Sequence, residues 1–131
     1  MATENDPGDL SKTAALLIAH GSRRAEANAD LVKLAESVRQ TNRFGIVEIA
    51  YLELAEPDIP QAAASCVTQG AKRILMMPYF LSAGVHVRND LTEFQRQFIE
   101  QYPGVRVEVC EHLGLHPKLV EVVIERLTAA V

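Results

Sequence analysis

Ala14-Ala15-Leu16-Leu17-Ile18-Ala19, running directly into His20-Gly21-Ser22, is the stretch on which the fold turns. Six apolar residues in a row show no polar alternation, which suits a strand buried on both faces, and Gly21-Ser22 marks the loop that follows. Such a strand needs helices above and below it. Leu31, Leu34, Ala35 and Val38 then recur at helical spacing with Asp30, Lys33, Glu36 and Arg39 between them, which predicts an amphipathic helix ending near Gln40.

The same alternation continues along the chain. Ile46-Val47-Glu48-Ile49-Ala50-Tyr51 is β-branched and aromatic enough for a second strand, closed by Glu56-Pro57-Asp58. Ile59, Ala62, Ala63, Cys66 and Val67 predict a second helix, with Gly70 placed to end it. Ile74 to Met77 reads as a third strand stopped by Pro78, and Tyr79 to Arg88 as a loop without a period. Leu91, Phe94 and Phe98 predict a third helix capped by Asn89 or Asp90 and halted at Tyr102-Pro103-Gly104. Val105, Val107 and Val109 alternate with Arg106 and Glu108 as in an edge strand, and His116-Pro117 opens a last helix with Leu119, Val122, Val123 and Leu127 as its apolar stripe.

Strict β-α alternation predicts an α/β fold: a three-layer sandwich in which a four-stranded parallel sheet, order 2-1-3-4, carries helices on both faces. The 131 residues suit one domain over residues 13–131, preceded by a polar N-terminal tail, residues 1–12, that is expected to be disordered. Thirteen Lys plus Arg against 17 Asp plus Glu leave a net charge of -4, which argues against a nucleic-acid binder that neutralises phosphates. Cys66 and Cys110 lie far apart in apolar segments, unlike a disulfide framework. The N-terminus lacks the regions of a signal peptide, and no apolar run is long enough to span a bilayer, so a soluble cytoplasmic protein is expected.

In an open parallel sheet, ligands bind beyond the carboxyl ends of the strands where the strand order reverses. That rule selects His20, Ser22, Arg23 and Arg24 after strand one, Glu53 and Glu56 after strand two, the Tyr79 to Asp90 segment after strand three, and Glu111 and His112 after strand four. His20 and His86 follow the two strands flanking the reversal. Two convergent imidazoles can hold a divalent metal or accept protons, and a carboxylate such as Glu53 could add an oxygen ligand or a base. Ser22, Arg23 and Arg88 are candidate ligand-binding residues, the guanidinium groups being suited to carboxylates. Taken by itself Ser22 reads as a loop or cap residue, since no GxSxG elbow surrounds it. No P-loop or GxGxxG follows strand one, so no nucleotide cofactor is expected. Cys110 and His112 could share one side of the strand, but a buried thiol and a loop imidazole is the plainer reading. His116 reads as a helix-entry residue, and Met76-Met77 as core.

Four segments, Leu17-Ile18-Ala19-His20-Gly21-Ser22-Arg23 with Ala27-Asn28, Glu53-Leu54-Ala55-Glu56-Pro57, Pro78 through Asp90, and Leu113-Gly114-Leu115-His116-Pro117, together resemble the short-form sirohydrochlorin chelatases of the class II chelatase superfamily. The resemblance covers nearly all of Ala14 to Leu127. It implies a single chelatase-like lobe that inserts cobalt or iron, with nickel a further candidate, into sirohydrochlorin for cobalamin or sirohaem synthesis. It further implies that His20 and His86 bind the metal and help remove pyrrole protons, with Glu53 as helper. No prosthetic group is implied, the divalent metal being a substrate. The implied assembly is a homodimer, since larger relatives carry two such lobes around a cleft and this chain has no second copy of the histidine motifs.

Two other classes remain open on the residues alone: a non-catalytic metal or tetrapyrrole carrier using the same site, and a histidine-dependent phosphotransfer enzyme suggested by His20-Gly21 beside two arginines. Tight binding without turnover would mark the first, and activity on phosphate esters the second.

Overall fold

The computed structural model describes residues 8–131. Its elements are β1 (Thr13–Ala19), α1 (Ala25–Gln40), β2 (Ile46–Tyr51), α2 (Ile59–Thr68), β3 (Arg73–Pro78), α3 (Val85–Gln101), β4 (Arg106–Val109) and α4 (Pro117–Ala129). All strand pairs are parallel, in the order β2-β1-β3-β4. The predicted sheet is therefore the observed one.

β1 lies between β2 and β3, with Ala14 opposite both Ile46 and Ile74, and this explains its unbroken apolar run. Its alternate residues feed two cores. Ala14, Leu16 and Ile18 pack with Ile59, Ala62, Ala63 and Cys66 of α2 and with Leu91 and Phe98 of α3. Ala15 and Leu17 pack with Leu31 and Ala35 of α1 and with Val47 and Tyr51. Helix α1 thus covers one face while α2 and α3 cover the other, as right-handed crossovers running in opposite directions from β1 require.

Small residues let α2 lie close on the sheet, and its start is closed by a capping box in which Asp58 and Gln61 each bond the other's backbone N–H at 2.8 Å. The edge strand β4 is tied to β3 by a two-pronged ion pair, Arg73 to Glu108, at 2.8 Å.

One expectation needs correction. Helix α3 begins at Val85, with Gly84 as an N-cap that has no side-chain bond, rather than at Asn89 or Asp90. His86 and Arg88 therefore stand on a first helical turn and not in a loop. The physical reason is that Val87 packs against the core beside Leu91, carrying the apolar stripe back one turn. Ahead of β1, the Leu10 carbonyl accepts from the Thr13 and Gly45 N–H groups, and the Lys12 carbonyl accepts from Lys72 N–H at 2.8 Å. Residues 1–7 lie outside the described residues.

Helix α4 differs from the other three in having no buried residue. The apolar stripe predicted for it is present, but Ile124 and Leu127 are 56% and 61% exposed.

Candidate functional site

The carboxyl end of β1 is held by two backbone hydrogen bonds that fix where His20 can stand. Leu52 N–H donates to the Ala19 carbonyl and Glu53 N–H donates to the His20 carbonyl, both at 3.0 Å, so the β1–α1 and β2–α2 loops run side by side. Between them Gly21, at φ 95°, leaves no room for a side chain, because an added Cβ would lie 1.8 Å from the Glu53 carbonyl oxygen. Beyond it, Asn28 brackets Ser22: its Oδ1 accepts from Ser22 N–H at 2.9 Å and its Nδ2 donates to the Ser22 carbonyl at 2.8 Å. Tyr51 Oη donates to the Asn28 carbonyl at 2.8 Å, and burial pushes the Tyr51 phenol above its ordinary pKa.

Ser22 Oγ in turn accepts from Arg24 N–H at 3.0 Å just ahead of α1. This is loop-fixing work, in keeping with the plain reading of Ser22. The His20 side chain lies flat on the buried Phe80 ring, with centroids 4.2 Å apart and planes 23° apart.

His20 and Glu53 line one cleft of about 440 Å³, together with Leu52, Val87, Phe94 and Asp90. Asp90 is thus a wall of the cleft rather than a cap. Helical spacing puts His86, which is exposed, one turn ahead of Asp90 on the same side of α3. Glu93 also borders this cleft and is paired with Arg96, which holds its carboxyl below the usual range. The backbone near Glu53 is unusual, since Leu54 adopts φ 65° although it has a side chain, a conformation that costs energy and persists only where the surroundings impose it.

The remaining candidates are dispersed. Arg88 projects from α3 toward a second, larger groove that also contains Cys110, Glu111, His112, His116 and Lys118. Arg23 and Arg24 are exposed before α1, where Arg24 approaches Glu26 at 3.6 Å, and neither lines either of these two clefts. Glu56 is exposed in the β2–α2 turn. Cys110 is partly buried, and burial together with Glu108 raises its thiol pKa, so it is poorly suited to bind a metal as thiolate beside His112. His116 Nδ1 accepts from Lys118 N–H at 3.1 Å and caps α4, as the helix-entry reading expects. Met76 is buried in the core and Met77 packs at its edge.

Among the described residues, no three His, Cys, Asp or Glu side chains converge tightly enough to cage a metal ion. What the lobe offers is His20 in a cleft with Glu53, Asp90 and Glu93.

The lobe is an open parallel α/β sheet, with His20 and His86 following the strands that flank its order reversal. The chain belongs to the CbiX family, whose model matches residues 14–130. It is similar to the chloroplastic sirohydrochlorin ferrochelatase of Arabidopsis thaliana, at 36% identity over 86% of this chain and 50% of that protein. The sirohydrochlorin chelatase SirB of Bacillus subtilis subspecies spizizenii, solved in complex with cobalt, superimposes with a TM-score of 0.82 at 30% identity, over 90% of this chain and 50% of that one. A cobalamin (vitamin B12) biosynthesis CbiX protein of Marinobacter aquaeolei superimposes with a TM-score of 0.78 at 29% identity, covering 90% of this chain and 96% of that one. The chain thus spans about half the length of the ferrochelatase and of SirB.

Proposed function

We propose that this protein inserts a divalent metal ion, Co²⁺ or Fe²⁺ with Ni²⁺ a further candidate, into sirohydrochlorin. The observation that carries the reading is His20, held on Phe80 at the sheet's order reversal and facing a cleft shared with Glu53 and Asp90, with His86 one helical turn ahead of Asp90. The names of the relatives supply the reaction class, sirohydrochlorin chelation, and the cobalt-bound SirB supplies a metal.

His20 and His86 present the ion, and the coordination they offer is open. A site that filled every position would retain the metal, whereas two imidazoles and water can release it to four pyrrole-type nitrogens. Each turnover replaces two N–H protons of the macrocycle by one M²⁺, so two protons must leave. Glu53 of the β2–α2 loop, which lines the cleft with His20, is one acceptor, and a released imidazole is the other. Ser22, Arg23 and Arg88 were candidate substrate contacts; of these Arg88 stands where a carboxylate of the tetrapyrrole could reach it, while Ser22 shapes the loop. The expected assembly is a homodimer in which a second copy supplies the other half of the cleft, and the expected compartment is the cytoplasm.

The deciding experiment is anaerobic incubation of the purified protein with sirohydrochlorin and each metal, followed by absorbance against a no-enzyme control. Multiple turnovers, abolished in the folded His20→Ala/His86→Ala variant, are expected. Stoichiometric binding without turnover would make the protein a carrier.

A further inference from the structure

The larger groove is not explained by metal handling. It has a volume of about 950 Å³, within the range of pockets that enclose small organic ligands. Its floor is apolar, made by Leu91, Val109 and Leu119 among others, and its rim is basic, with Arg88, His112, His116 and Lys118 against the single carboxylate of Glu111. On a chain of net charge -4 this is a local reversal of sign. We propose that the groove receives a carboxylate-bearing edge of the tetrapyrrole, with Lys118 and His112 as specificity-determining contacts beside Arg88. This inference rests on the chelatase reading above and assigns the part of the substrate that the histidines do not touch.

The chemistry of the two surfaces matches. A tetrapyrrole of this class has flat apolar faces and a periphery of acetate and propionate groups, so it needs a greasy floor bounded by donors. His116 already spends Nδ1 as acceptor for Lys118 N–H, which leaves the ring proton on Nε2, the donor orientation a carboxylate requires. Gly114, at φ 56°, turns the loop so that the nearest atom to an added Cβ would be His112 Nε2, 3.7 Å away.

A second observation ties the groove to the metal side. Leu113 N–H donates to the Phe80 carbonyl at 3.0 Å, and the Phe80 ring carries His20. The β4–α4 loop is therefore hydrogen-bonded to the residue that positions the imidazole. The two clefts are separated only by the opening turns of α3, whose Val87 and Asp90 face one and whose Arg88 and Leu91 face the other. A macrocycle lying across the start of α3 has its rim in the groove and its nitrogens toward the histidines.

The test is Lys118→Glu, with His112→Gln as a second variant. Lys118 sits in the first turn of α4, where an acidic residue favours the helix dipole, so the reversal is expected to leave folding intact. Fluorescence titration with metal-free sirohydrochlorin and steady-state insertion of Co²⁺ are the readouts. The expected result for Lys118→Glu is a rise of about 10-fold in Kd and KM for the tetrapyrrole, with KM for Co²⁺ unchanged, and an effect that shrinks as salt is added. Unchanged tetrapyrrole KM in both variants, with wild-type insertion intact, overturns the groove assignment, and so does a rise confined to the KM for Co²⁺. A wild-type protein that neither binds sirohydrochlorin nor inserts metal overturns the functional reading instead.

Discussion

His20 and His86 carry the same side chain on opposite terms with the fold. His20 ends the most buried strand of the sheet, has its carbonyl bonded to Glu53 N–H, and rests on an aromatic ring that is itself 4% exposed. His86 stands on the first turn of a helix whose N-cap makes no side-chain bond, and no ring is stacked on it among the described residues, although both histidines are exposed. One imidazole is positioned by packing, the other only by its backbone. Under the proposed metal transfer the asymmetry would have a use: a ligand seated on a ring would define where the ion waits, and one without that support would be displaced first as the macrocycle nitrogens take over.

The largest effect that can break this comparison is on insertion itself. His20→Ala and His86→Ala are each expected to lower kcat/KM for metal insertion by about 10²–10⁴, the range of a lost acid–base or ligand group. The sharper result is chemical rescue. Truncating His20 leaves a ring-sized space against Phe80, which free imidazole can reoccupy, so rescue of His20→Ala is expected to saturate with imidazole concentration. No ring is stacked on His86 among the described residues, and no saturable rescue is expected there. Equal rescue of both variants, read from initial rates, would show that the packing difference has no functional counterpart.

Next in size is Gly21→Ala. The added Cβ must push the Glu53 carbonyl away and adopt a left-handed backbone as well, and about 3 kcal/mol of stability is expected to be lost in urea denaturation. Because the same contact aligns His20 with Glu53, activity per folded molecule is expected to fall with it. If stability drops while folded protein inserts metal at the parent rate, the alignment of the two loops has no part in the reaction.

Phe80→Leu probes the ring contact alone. Aromatic pairs contribute about 0.5–1.5 kcal/mol beyond burial, so a 2- to 10-fold rise in KM for the metal is expected, with KM for sirohydrochlorin unchanged and Phe80→Tyr restoring the parent value. A loss that Tyr does not repair would assign Phe80 to packing only.

The difference between the two histidines could not have been read from the chain alone. Unbroken apolar runs at Ala14–Ala19 and Ile74–Met77 marked buried strands, and the i, i+3, i+4 spacing of Ile59, Ala62, Ala63 and Cys66 marked α2, so the sheet order followed from alternation and handedness. The start of α3 was obscured for a physical reason: Gly84 caps it without a side chain, and Val85-His86-Val87-Arg88 lacks a recognisable entry signal. Reading Val87, Leu91, Phe94 and Phe98 as one stripe would have found the missing turn, and with it Asp90 as a cleft wall. The seating of His20 on Phe80, 60 positions apart in the chain, and the clamp of Asn28 on Ser22 are products of tertiary packing that no local period encodes. α4 is the converse case. Its stripe was legible, yet whether a partner buries that stripe lies outside a single lobe.

The smallest expected effect separates the stability of the anchored half from the chemistry of the site. Cys66, fully buried on α2 against the sheet, has its thiol pushed up to about 12 by burial first and by Glu48 second. An unfolded thiol titrates near 9.0, so the neutral thiol's contribution is complete below pH 9 and is lost as pH rises toward 12, because only the unfolded chain ionises in that window. Thermal melts are therefore expected to show stability falling above pH 9, and Cys66→Ala, about 1 kcal/mol less stable at pH 7 through its small cavity, is expected to approach the parent as pH increases. Iodoacetamide at pH 8 is expected to spare Cys66 in the folded protein and modify it in urea. Should the two melting curves stay parallel from pH 7 to 11, alkaline weakening arises elsewhere; should they converge while insertion has already declined at lower pH, the loss of activity belongs to the site and not to the fold that holds His20.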